Sequence, residues 1–195
     1  AEATPDKRAI VWEGEPGEVR TITYRELRDE VARIAGALRE LGVEKGDRVA
    51  IYLPMVPELP MTMLACARIG AVHTVVFGGF SADALAERAN DSGVKLVVTA
   101  DGGWRRGKTV DLLKITREAL ALGTPTVEKV LVLDRMGSSP ALAENEVAWG
   151  DLVPRQSADL APVPMESEDP LFILYTSGST GKPKGILHTT AGYLV

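Results

Sequence analysis

Leu171-Phe172-Ile173-Leu174-Tyr175-Thr176-Ser177-Gly178-Ser179-Thr180-Gly181-Lys182-Pro183-Lys184-Gly185 is an apolar run that breaks abruptly into hydroxyls, glycines and lysines. The run reads as a strand, and its sequel suits a nucleotide phosphate. Glycines bring main-chain N–H groups close to an anion, hydroxyls donate further hydrogen bonds, and lysines supply charge on flexible stems. A strand ending in such a loop places it where α/β proteins hold ligands. The ordinary Walker A loop is excluded. Only Ser179 and Thr180 separate Gly178 from Gly181-Lys182, and Pro183 stands where the magnesium-binding hydroxyl would be. Proline has no N–H and disfavours helix at the residue before it, so Lys182 is not expected to open a helix.

Upstream, short β-like runs alternate with helical patterns. Ala9–Trp12 and Val19–Ile22 flank the turn-rich Glu13-Gly14-Glu15-Pro16-Gly17 and read as a hairpin. Thr23-Tyr24-Arg25-Glu26 matches a capping box, and Leu27, Val31, Ile34, Leu38 and Leu41 follow at helical spacing as far as Gly42. Val49–Leu53 reads as a strand and Pro57–Ile69 as a largely buried helix with Pro60 in its first turn. Ala71–Val76 is the next strand, followed by a helix from Ser81 as N-cap to Gly93 as its stop. Val94–Thr99 then reads as strand, Thr109–Leu122 as helix and Val127–Leu133 as strand. This alternation predicts right-handed crossovers, hence an α/β fold with a mostly parallel sheet and flanking helices. Ser138–Pro170, rich in Pro, Ser and acidic residues, reads as a surface excursion.

At 195 residues, 45% hydrophobic and 25% charged, the chain has the composition of a globular protein rather than a disordered one. A net charge of −5 gives no footing for a nucleic-acid partner, so any anion must be bound by local design. No run approaches the ~18 apolar residues of a membrane span. The sole cysteine, Cys66, sits in Leu64-Ala65-Cys66-Ala67 and reads as a small buried hydrophobe. A cytoplasmic protein with no membrane partner is expected. The apolar ending Tyr193-Leu194-Val195 reads as a cut through a longer chain.

Two further loops could share a ligand with the first. Phe77-Gly78-Gly79-Phe80-Ser81 leads from a strand into a helix N-terminus, which favours anions. Asp101-Gly102-Gly103-Trp104-Arg105-Arg106-Gly107-Lys108 follows the next strand with three cations. In a parallel sheet both leave its carboxyl edge. From spacing alone, Gly78-Gly79 reads equally as a tight turn needing positive φ, and Arg105-Arg106-Lys108 as a solvated charge cluster. His73 reads as a hydrogen-bonded core residue, and Glu166-Ser167-Glu168-Asp169 as solvated acid without metal-binding companions. Trp12, Trp104 and Trp149 read as too scattered to form a stacking platform.

Thr176–Gly185 resembles the signature of the acyl-adenylate-forming (AMP-binding) enzymes. Within that family Leu171–Tyr175, Ile186-Leu187-His188-Thr189-Thr190 and Val75-Val76-Phe77-Gly78-Gly79-Phe80-Ser81 resemble the acetyl-CoA synthetases. The resemblance implies that residues 1–195 are part of a large N-terminal AMP-binding domain, with the C-terminal domain outside the chain. It implies a ligase that joins acetate to coenzyme A through acetyl-adenylate, with ATP as co-substrate accompanied by Mg2+. Thr176, Ser177, Gly178, Ser179, Thr180, Gly181, Lys182 and Lys184 would hold the ATP phosphates as a clasp, mobile without nucleotide.

By the same resemblance Phe77, Gly78, Gly79, Arg105 and Lys108 would line the coenzyme A site. Arg105 and Gly107 match the family's Arg-x-Gly-Arg element, whereas Lys108 replaces its second arginine, keeping the charge and losing the bidentate fork. Arg106 has no counterpart, and the role of His188 stays open. The adenine, carboxylate and catalytic-lysine sites would lie beyond Val195. No catalytic residue and no protein metal ligand is therefore expected here, and the isolated chain should be inactive. Propionyl-CoA synthetase or another short-chain acyl-CoA ligase is the nearest alternative. A phosphate-releasing nucleoside triphosphatase and a noncatalytic nucleotide-binding module are the others. Oligomeric state is not indicated.

Overall fold

The computed structural model describes residues 1–176 and 183–194. β1 (Arg8–Glu13) and β2 (Val19–Thr23) pair antiparallel as the expected hairpin. The capping box opens α1 (Tyr24–Glu40): the Glu26 N–H donates to Thr23 Oγ1 at 3.3 Å and the Thr23 N–H to Glu26 Oε2 at 2.8 Å. β3 (Arg48–Tyr52), α2 (Glu58–Ile69) and β4 (Val72–Val75) follow, with Gly70 in the left-handed conformation that closes α2. α3 (Ala82–Ser92) starts at Ser81, whose Oγ accepts from the Ala84 N–H, and stops at left-handed Gly93. β5 (Leu96–Ala100) comes next.

Here the chain departs from the helix expected over Thr109–Leu122. β6 (Gly103–Arg105) and β7 (Lys108–Val110) form a small hairpin, and α4 (Leu112–Ala121) starts only after Asp111, which accepts from the Lys114 N–H. Arg106 and Gly107 both have positive φ, 53° and 74°. Those values belong to a two-residue turn matched to strand twist, and β-branched Thr109 and Val110 favour the strand that follows.

β8 (Lys129–Leu133) precedes two elements inside the stretch read as irregular, β9 (Glu146–Ala148) and α5 (Trp149–Leu152). β9 starts on a charged residue, which hides it from a search for apolar runs. Arg117 of α4 donates twice to the buried Glu146 carboxylate, at 2.8 and 2.6 Å, and the Ala143 N–H adds a third bond. The acidic stretch after it is not simply solvated: Asp169 pairs with Lys45 at 2.7 Å and accepts from the Glu166 N–H. β10 (Pro170–Thr176), β11 (Lys184–Thr189) and α6 (Thr190–Leu194) complete the described chain.

Among the described residues one seven-stranded sheet has the order β11-β10-β4-β3-β5-β8-β9, and every pair is parallel except β10–β11. β3 and β5 are nearly wholly buried, so apolar runs rather than alternation mark them. From β3 the chain crosses to β4 on one side, then returns over β3 to β5 and on to β8. Right-handed crossovers place α2 on one face and α3 with α4 on the other; accordingly α2 packs on α1, and α3 on α4. Cys66 lies in the core under α2, where burial pushes its thiol up to about 12. No helix among the described residues is long and apolar enough to cross a membrane.

β11 is an edge strand with both faces open, since successive residues Ile186 and Leu187 are 49% and 54% exposed. Leu174 and Tyr193 extend this apolar surface. An open apolar edge templates association. The isolated 195-residue chain is expected to self-associate in light scattering, and Leu187→Lys to reduce that association; a monodisperse wild-type monomer would contradict this.

Candidate functional site

Three loops leave the same sheet edge because β10, β4, β3 and β5 run parallel. β3 continues into Leu53-Pro54-Met55, β4 into Phe77-Gly78-Gly79, and β5 into the β6–β7 hairpin. The chain turns to opposite faces on leaving β3 and β4, which opens a crevice at the carboxyl ends of these strands. A cavity of about 740 Å³ occupies it, walled by Trp12, Pro54, Phe77, Trp104, Arg105 and Arg135, with Leu174 of β10 also on its lining. That size accommodates a ligand of nucleotide dimensions.

The predicted residues Phe77, Gly78, Gly79 and Arg105 meet here. The Arg105 guanidinium lies 4.8 Å from the Phe77 ring centroid, and Nη1 points at the Gly79 carbonyl oxygen, 3.5 Å away. Gly78 and Gly79 do form a tight turn, closed by the Phe80 N–H donating to the Phe77 carbonyl oxygen at 2.9 Å, but neither has the positive φ expected of it. The constraint is space. A Cβ on Gly79 would stand 1.8 Å from Arg105 Nη1, and one on Gly78 would stand 3.0 Å from the Leu53 carbonyl oxygen. Tyr52 donates to the Phe80 carbonyl oxygen at 2.7 Å and pins the loop from below; burial pushes this phenol up to about 12, so it stays a donor.

No carboxylate among the described residues lies within ion-pair distance of Arg105. Its charge is held by a ring face and a carbonyl, which leaves it available to an anion. Lys108 faces Arg105 across the hairpin but is exposed and does not line the cavity. Arg106, which has no counterpart in the family element, does line it. At the far end of β10, Thr176 and Lys184 face each other where β10 and β11 part. Ser177, Gly178, Ser179, Thr180, Gly181 and Lys182, with the mobility expected of them, lie outside the described residues.

Several residues of the site are not apparent from the sequence. Trp12 and Trp104 are 92 positions apart yet both line this cavity, and no ring stacking joins them among the described residues. Trp12 Nε1 donates to the Met55 carbonyl oxygen at 2.7 Å, and Arg135 stacks on its ring while pairing with Glu18. Asp101 is 6% exposed and accepts from the Gly102, Arg135 and Met136 N–H groups and the Ser138 hydroxyl, at 2.8, 2.8, 3.0 and 2.7 Å. It ties the β6–β7 hairpin to the loop after β8. His73 is buried as expected, but its Nδ1 has no partner among the described residues; it stacks on Phe172 at 5.5 Å, and burial drives its pKa down to about 4.

The family model of the AMP-binding enzymes matches residues 1–195. The chain belongs to the AMP-binding enzyme family. It is 60% identical to an acetyl-coenzyme A synthetase of Streptomyces avermitilis over 97% of this chain and 29% of that protein. Against an acetyl-coenzyme A synthetase of Rhodopirellula baltica it is 57% identical over 96% of this chain, again 29% of the relative. The structure of an acetoacetyl-CoA synthetase from Streptomyces lividans superposes with a TM-score of 0.87 at 32% identity, covering all of this chain and 29% of that one. The chain thus spans just under a third of these relatives.

Two outcomes follow for the crevice of this AMP-binding domain. In Gly79→Ala a crystal structure is expected to show Arg105 displaced from the Phe77 ring while the Tyr52–Phe80 bond persists; an unmoved Arg105 would contradict the packing. At Asp101, burial opposes ionisation, but bonds from Ser138 and the Met136 and Arg135 N–H groups prevail and hold the carboxyl below its ordinary range. The resulting stability is fully present above the unfolded value of about 3.9 and is lost as pH falls through the lower folded value. Wild type should therefore be more stable than Asp101→Asn at pH 7 by thermal unfolding, with the gap closing below about pH 4. A gap independent of pH would count against the ionised role.

Proposed function

We propose that the protein containing this chain is an ATP-dependent acetate–CoA ligase. Acetate attacks the α-phosphate of ATP, forming acetyl-adenylate and releasing diphosphate; the coenzyme A thiol then displaces AMP and yields acetyl-CoA. ATP would arrive with Mg2+ as part of the substrate. Among the described residues no group of three or more His, Cys, Asp or Glu is placed to hold a metal ion.

One observation carries the reading: an arginine without a carboxylate partner, Arg105, sits in a nucleotide-sized crevice on the sheet edge from which β10 leads to Thr176 and the phosphate-loop motif. Phe77 and Arg105 offer a ring face and a guanidinium to a base and its phosphates, and Gly79 leaves the space. Thr176 and Lys184 would hold the near end of the departing diphosphate, with Ser177 to Lys182 completing the clasp. An anion attacking an anion requires such positioned cations and N–H donors. Acetate is preferred to propionate on the names of the relatives.

Coenzyme A takes no part in the first half-reaction, and this separates the two sites experimentally. The whole protein should catalyse acetate-dependent ATP–diphosphate exchange, and the isolated 195-residue chain should not. Arg105→Ala should leave exchange intact and raise the KM for coenzyme A about tenfold, as expected for a lost charge-assisted contact of ~1.4 kcal/mol. Phosphate release without diphosphate would overturn the ligase reading, and an unchanged coenzyme A KM would overturn the role of Arg105.

A further inference from the structure

Arg88 of α3 is a charged side chain only 9% exposed, and no carboxylate among the described residues lies within ion-pair distance of it. Burial of an unpaired cation is costly unless other groups take up its charge. Here aromatic faces do so. The guanidinium carbon is 4.7 Å from the Phe80 ring centroid and 5.4 Å from that of Tyr175, and Nη1 donates to the Ala84 carbonyl oxygen at 2.7 Å. One turn further along α3, Asp91 Oδ2 accepts from the Tyr175 hydroxyl at 2.5 Å.

The two rings belong to different parts of the site. Phe80 closes the Phe77–Phe80 loop, whose backbone Tyr52 holds. Tyr175 is the penultimate residue of β10, next to Thr176. α3 thus grips the carboxyl end of β10 through Arg88 and Asp91 and grips the neighbouring loop through the same Arg88. We propose that Arg88 is a positioning residue that locks the end of β10 to the Phe77–Phe80 loop, so that Thr176 and this loop hold a fixed relation. This rests on the ligand assignment made above. Arg88 itself contacts neither nucleotide.

The test uses the whole protein containing this chain. Affinities for ATP and for coenzyme A are measured separately by calorimetric titration, alongside KM and kcat for exchange and thioester formation. Arg88→Met should weaken both ligands, each about fivefold, the size of one partly desolvated cation–π contact. Arg88→Lys, which keeps a cation between the rings, should recover most of both losses. Should Arg88→Met fail to accumulate as folded protein, Phe80→Leu and Tyr175→Leu each remove one ring, and each should weaken both ligands. Affinities within about twofold of wild type in a folded variant, or loss of one ligand alone, would overturn the proposal; so would an Arg88→Lys protein no better than Arg88→Met. A wild type that binds both ligands without exchange would overturn the reaction and leave Arg88 judged by the affinities. A wild type that binds neither would overturn both.

Discussion

A strand hydrogen-bonded on both edges and buried on both faces cannot slip by one residue without reversing every side chain it carries. β3 is such a strand, paired in parallel with β4 through Val49–His73 and Ala50–Thr74 and with β5 through Val49–Leu96 and Ala50–Val97. These registers set the ends of β4 and β5 on either side of β3, with β5 running two residues past the level of Val75. The crevice exists because the chain departs to opposite faces at this point, and its depth is set by how closely Leu53 and Pro54 approach the flanking loops. Gly78 and Gly103 permit that approach: a Cβ on the first would meet Leu53, and on the second would meet Pro54 at 2.7 Å.

Around this frame the charged groups divide by whether they have partners. Asp101 is a carboxylate satisfied by backbone N–H groups and a hydroxyl, and Glu146 and Asp169 each by a backbone N–H group and a cation; each fixes a loop. Arg105 and Arg88 are cations held by rings. Aromatic faces restrain a guanidinium without neutralising it. At Arg105, in the crevice, this leaves charge available to a ligand; Arg88, which does not line the crevice, places a cation between a ring of the Phe77–Phe80 loop and a ring of β10.

The sequence carries most of the frame because each signal there is local. The Thr23–Glu26 capping box, the Ser81 cap and the Gly93 stop each act within a turn of backbone, and the helices begin and end on them. The phosphate-loop motif and the Phe77-Gly78-Gly79 loop are contiguous, so they too could be recognised. What was hidden depends on contacts distant in sequence. Thr109 and Val110 fit a helical pattern as readily as a strand, and only the Arg106-Gly107 turn decides between them. β9 needs Arg117, 29 residues away, before Glu146 can enter the sheet. Asp101 carries no local signal of its role, because nothing in its neighbourhood announces the N–H groups of residues 135 and 136. The glycines of the Phe77 loop were legible as special, but the reason is the guanidinium of Arg105 rather than backbone strain.

The claim that these loops form one nucleotide-binding edge is tested most directly by a crystal structure of the whole protein with coenzyme A and a nonreactive acyl-adenylate analogue bound together. The account predicts coenzyme A phosphates bonded to Arg105 with its nucleotide against Phe77 and Gly79, and the adenylate on the β10 side of the same crevice. Coenzyme A bound away from the β4 and β5 loops, with Arg105 still resting on Phe77 and facing solvent, would contradict it.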